Sequence, residues 1–212
     1  MSSTAIEIRT ETCPRNTPWG RADHVEQLCE GIWIVGTPSH GGVYVAPELW
    51  ETMPPDMRET NYSEGGWFEE DSDLVLPLWH FNERILEAGM SKWACEILRS
   101  GKLDESLRNS FPRVYARLFD VPIESLRGQS YTYDRECFLK ENAENYVVTT
   151  AWGDWHEHVP SGYVGVCATP GADRTGKYCP AYKLVPKELY AARGSFGYVL
   201  TGDEKFWCGP NP

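Results

Sequence analysis

The sequence predicts an α+β fold, with β-rich N- and C-terminal parts around a helical middle segment. Short apolar runs of strand length gather before residue 77 and again after residue 144. Between them, apolar residues recur at helical spacing. The sheet is expected to be antiparallel or mixed, with a possible internal pseudo-repeat. The expected divisions are 1–77, 78–143 and 144–205, in one compact globular unit. At 212 residues, with 41% hydrophobic content and nine Trp, the chain has enough apolar side chain for a real core.

Taken in order, 5–10 (AIEIRT) and 31–37 (GIWIVGT) read as strands, the second almost wholly apolar and therefore central. Gly41-Gly42 is expected to turn the chain into a short strand at 43–46. Pro47 opens a helix through Trp50, because a missing N–H costs nothing in a first helical turn. "MPPDM" should end that helix, and "GGWFEED" should be a strand with Trp67 inward and acids outward. From residue 78, three apolar groups follow at helical spacing: Leu78, Phe81, Ile85 and Leu86, then Trp93, Ile97 and Leu98, then Phe111, Val114, Tyr115 and Leu118. Gly89, Gly101 and Pro122 punctuate them, and a last helix should run from about Tyr131 to Asn142. Strands return at 146–151, 163–168, 182–185 and 196–200, and "WCGPNP" should be a loose tail.

Two blocks share wording. "TPWG", "GIWIVGTP" and "VYVAPELW" are followed later by "TAWG", "GYVGVCATP" and "YKLVPKELY". Trp19-Gly20 then matches Trp152-Gly153, Thr37-Pro38 matches Thr169-Pro170, and Glu48-Leu49-Trp50 matches Glu188-Leu189-Tyr190. Strand-turn-strand-helix units often share such wording, so coincidence and common ancestry both stay open.

Composition narrows the function classes. No apolar run reaches the roughly 18 residues of a membrane-spanning helix. The first dozen residues lack the basic and apolar regions of a secretory signal, so a cytoplasmic location in a host cell is expected. Seven scattered cysteines include no CxxC pair. They should be reduced thiols rather than a zinc site. Residues 1–77 carry 14 Asp/Glu and 4 Lys/Arg, a net −10 of the −11 for the whole chain. Such a field repels phosphates and attracts basic surfaces, so direct nucleic-acid binding is not expected. Solubility alone also accounts for it.

The stretches "TPWG", "TPSHGG", "WFEED" and "TTAWGDWHEHVPSGYVGVCA" together resemble an uncharacterised family of proteins from phages, plasmids and integrative elements, known as a domain of unknown function. The resemblance runs from about residue 17 to residue 200 and is weakest in the middle helices. It implies an accessory gene of a mobile element and brings no catalytic residues with it.

Three groups of residues can carry chemistry. In Ser39-His40-Gly41-Gly42 the glycines are expected to supply positive φ for a turn, which leaves His40 as a base, a metal ligand or a partner for a neighbouring carboxylate. "GGWFEEDSD" supplies Glu69, Asp71 and Asp73 on one strand face and Glu70 on the other. Such a face suits a hard cation, a basic partner or simple solvation. "WGDWHEHVP" carries Asp154, Trp155, His156 and His158, and the two histidines are weak metal candidates or plain surface residues. Covalent catalysis has little support: Cys167 lies in a buried-looking strand, Ser39 lacks a GxSxG elbow, and there is no Walker loop.

The expected function is therefore a non-enzymatic accessory protein, without cofactor, that binds a host protein with a basic surface. The binding surface would comprise Ser39, His40, Gly41, Gly42, Glu69, Glu70, Asp71, Asp73, Asp154 and Trp155. The alternative is a metal-dependent hydrolase-like enzyme using His40, Glu69, Asp71 and His156. Converging acids in a concave site would favour the enzyme, and acids spread over an exposed face would favour the binder.

Overall fold

A computed structural model describes residues 13–60 and 65–210. The protein is α+β, as the sequence predicts. Its contacts divide it into two units, Met1–Thr132 and Tyr133–Pro212. The strand expected at 5–10 lies outside the described residues.

The first unit opens with a two-residue-strand hairpin, β1 (Asn16–Thr17) and β2 (Gly20–Arg21), with Trp19 in its turn. A four-stranded antiparallel sheet follows: β3 (His24–Cys29), β4 (Ile32–Gly36), β5 (Gly41–Val45) and, after two short helices, β6 (Trp67–Glu69), in that spatial order. The short helices are α1 (Pro47–Trp50) and α2 (Pro55–Arg58), each with proline in its first turn. "MPPDM" thus starts a second helix instead of only ending the first.

This sheet is covered on both faces, which explains why β4 and β5 are apolar without alternation. One face presents Ile32, Val43, Val45 and Phe68 to Leu76, Leu78, Ile85, Leu107 and Val114 of the helical middle. The other is an aromatic ladder. Trp33, Tyr44 and Trp67 are register partners on β4, β5 and β6, with ring centroids 5.8 and 4.5 Å apart. Trp19 closes the ladder edge-on against Trp67 at 5.9 Å.

The middle helices are α3 (Val75–His80), α4 (Asn82–Ala88), α5 (Lys92–Arg99), α6 (Lys102–Ser110) and α7 (Pro112–Leu118). A 3₁₀ turn at Ile123–Leu126 precedes α8 (Tyr131–Glu141), which crosses the boundary between the units. The punctuation behaves as expected: Gly89 ends α4 at φ 60°, and Gly101 joins α5 to α6 at φ 71°. Ser91 caps α5 by accepting the Ala94 N–H at 3.3 Å.

The second unit holds a separate antiparallel sheet of β7 (Tyr146–Trp152), β8 (Tyr163–Pro170), β9 (Ala181–Pro186) and β10 (Lys205–Phe206), with α9 (Lys187–Ala191) after β9. Among the described residues, the two β-rich parts therefore form separate sheets and do not share one. No strand forms at 196–200. Val199 makes an isolated bridge to Val147, because Gly194 and Gly197 bend this segment instead of extending it. The described part of the tail, 207–210, is anchored at Trp207. β10 pairs with β9, and Trp207 is 3% exposed, with its indole donating to the His158 carbonyl at 2.8 Å. Gly165 makes room for that ring: a Cβ there would lie 2.8 Å from it.

The block comparison divides. β4–β5–α1 and β8–β9–α9 share topology, and both Thr37 and Thr169 donate a hydroxyl hydrogen bond across the loop that follows. The tryptophans do not correspond. Trp19 lies in a turn upstream of β3, whereas Trp152 ends β7 and packs on Trp207 at 5.2 Å.

Trp207→Ala should therefore destabilise the second unit by about 3–5 kcal/mol, the usual cost of deleting a buried large aromatic ring. Chemical denaturation followed by far-UV circular dichroism checks this, and an unchanged midpoint would return the tail to a passive role.

Candidate functional site

The four-residue loop between β4 and β5 is braced by Thr37. The Thr37 N–H and hydroxyl both donate to the His40 carbonyl, at 2.7 and 2.8 Å, and the His40 N–H donates back to Thr37 Oγ1 at 3.1 Å. This fixes the His40 backbone while its side chain stays exposed.

Gly41 and Gly42 do not make the turn. They are the first residues of β5, paired with Gly36 and Val35, and neither has positive φ. Their lack of a side chain serves close approach. A Cβ on Gly42 would collide with the Phe68 carbonyl and the Trp19 ring. A Cβ on Gly41 would lie 2.6 Å from Glu70 Oε2 and 3.0 Å from the Val35 carbonyl. The glycine pair thus lets β6 and Trp19 close on β5, and lets the Glu70 carboxylate lie over the strand.

The acidic run also departs from alternation, because β6 stops at Glu69. Residues 70–74 turn, with the Glu70 N–H donating to the Gly41 carbonyl at 3.0 Å and the Leu74 N–H to the Glu69 carbonyl at 2.9 Å. Asp73 is not on the surface. It is 1% exposed and accepts from the Ser72 hydroxyl at 2.8 Å and from the Thr60 hydroxyl. Both bonds give this buried carboxylate a structural role. Glu69 is half-buried and accepts the Asp71 N–H at 2.8 Å, while Glu70 and Asp71 are exposed.

An open cleft of about 650 Å³ lies here, lined by the 34–42 stretch, His24, Glu70, Asp71, Leu74 and Trp93. Its lining contains no Lys or Arg among the described residues. A smaller cleft of about 390 Å³ shares Glu70, Asp71 and Leu74 with it. Donor atoms of His40, Glu69 and Glu70 all lie within 4.8 Å of one another, the spacing of a possible cation site. The sequence pointed to His40 and the acids. It missed Trp93, which helical spacing assigned to the core but which is 39% exposed.

The remaining expected residues belong to the second unit. Asp154 pairs with Lys187 at 3.5 Å, and Trp155 is 77% exposed. The His158 N–H donates to His156 Nδ1 at 3.3 Å, so one ring nitrogen of His156 is already occupied. Among the described residues, His156 and His158 are not part of a three-ligand group. Cys167 is half-buried on β8. In the first unit, burial pushes the Cys13 thiol up to about 11 and raises that of Cys29, which makes both poor nucleophiles.

Residues 12–143 match the family described as "Domain of unknown function (DUF7007)", and the chain belongs to that family. The match takes in the cleft and the helical middle and stops before the "AWGDW" stretch. No curated protein and no solved structure matches the chain.

Gly42→Ala should lower stability by about 1–3 kcal/mol through overpacking. Gly41→Ala should cost less, since the nearest obstacle is the flexible end of Glu70. Denaturant midpoints of the two variants check this order, and equal small effects would remove the close-approach explanation.

Proposed function

We propose that this protein is a non-enzymatic accessory protein of a phage or other mobile element, which binds a host protein with a basic surface and so inhibits a nucleic-acid-handling defence system. The mobile-element setting rests on the family resemblance read from the sequence. The binding mode rests on one observation: the Ser39–Gly42 segment meets exposed Glu70 and Asp71 around an open cleft whose lining contains no Lys or Arg among the described residues. The excess of acids in the first 77 residues adds a long-range field that would speed encounter with a basic partner. Asp73 falls out of this surface because it is buried.

One observation favours a second reading, a metal-dependent hydrolase-like enzyme. His40, Glu69 and Glu70 offer one imidazole and two carboxylates at cation-binding spacing.

The double variant Glu70→Lys/Asp71→Lys separates the two. Exposed substitutions should change stability by no more than about 0.5 kcal/mol. On the binding reading, the affinity of a purified host partner falls, and the loss shrinks as salt rises and the Debye length drops below about 10 Å. Partner affinity that is unchanged in any salt rejects the acidic-surface mode. Elemental analysis of the wild type after dialysis against Mn²⁺ or Zn²⁺ tests the second reading, which expects stoichiometric metal in the wild type and none in His40→Ala.

A further inference from the structure

Trp93 has no evident structural reason to face the cleft. It sits in the first turn of α5, where Ser91, Ala94 and Cys95 are buried and Lys92 and Trp93 are turned outward. Trp93 is 39% exposed and lines the same cleft as Glu70, Asp71, Ile34 and Leu74. Two exposed carboxylates, an exposed aromatic residue and the apolar residues Ile34 and Leu74 therefore line one concavity.

We infer that this cleft receives an arginine side chain from a protein partner, an inference that rests on the binding reading above. Glu70 and Asp71 offer carboxylate oxygens to the forked N–H groups of a guanidinium, for which paired hydrogen bonds are the strongest arrangement. The Trp93 ring offers the face on which a planar cation stacks. Ile34 and Leu74 cover the aliphatic stem, since long cationic side chains lay their methylenes on apolar surface. Lysine fits less well because its compact ammonium is more strongly hydrated and cannot stack as a plane. A divalent cation would use His40, Glu69 and Glu70 and leave Trp93 without a role. Charge complementarity points the same way, because among the described residues no Lys or Arg of this chain lines the cleft.

The test uses the full chain with ¹⁵N-labelled tryptophan, titrated with N-acetylarginine N-methylamide and with its neutral isostere, the citrulline derivative. The Trp93 indole signal is assigned from Trp93→Leu, whose thermal midpoint confirms that it folds. The arginine probe should shift the Trp93 signal to saturation. The citrulline probe should bind about tenfold or more weakly, the difference expected from losing charge-assisted hydrogen bonds. Glu70→Gln/Asp71→Asn should show the same loss. Equal shifts from both probes, or no shift at Trp93, would overturn the arginine site. If Trp93→Leu binds the host partner as tightly as wild type while Glu70→Lys/Asp71→Lys does not, the acidic surface stands and the arginine pocket falls. If the arginine probe binds as expected but a basic host partner binds regardless of the Glu70 and Asp71 charges, the pocket stands and the host-binding reading falls.

Discussion

The first unit depends on β5 being buried on both faces. All five of its residues are buried, although its position between β4 and β6 would be met by many sequences. Val43 and Val45 contribute to the core shared with the helices, while Tyr44 carries the ladder that links Trp33 to Trp67. A strand in this position can have no solvated side, so its start must be as compact as its centre. Gly41 and Gly42 meet that requirement by having no side chain where the Phe68 carbonyl, the Trp19 ring and the Glu70 carboxylate approach.

The site follows from the same constraint. Because β6 ends at Glu69 and the chain turns at once, two consecutive acids end up beside the braced Thr37–His40 loop instead of along a strand face. The turn also divides the acids by role. Asp73 is drawn inward and satisfied by two hydroxyls, Glu69 is engaged by a backbone N–H, and Glu70 and Asp71 stay exposed and line the cleft. Exposed carboxylates contribute little to folding, so their cost is small and their field is available for association.

Family membership covers the unit that contains this cleft. The second unit has its own sheet and its own anchoring ring, Trp207, which sits over Gly165 between Trp152 and Tyr182. Two small sheets, each with a large aromatic ring pressed on a glycine, are a shared packing solution. A ring can lie directly against a strand's backbone where that residue carries no Cβ.

The sequence by itself determined the fold class, the helical middle and most strand positions, because apolar periodicity, proline and glycine act locally along the chain. It also marked His40, Glu69, Glu70 and Asp71 as the residues worth following. It could not give the reason for Gly41 and Gly42, since close approach involves Trp19 and Phe68, 22 or more residues away along the chain. Nor could it tell buried Asp73 from exposed Asp71, because burial depended on where Thr60 and Ser72 lay. Trp93 and Trp207 were misread in opposite directions for the same cause. Helical spacing assigned Trp93 to the core and chain position left Trp207 to the tail, but which side of a ring meets solvent depends on residues remote in sequence. Those contacts exist only once the chain has packed.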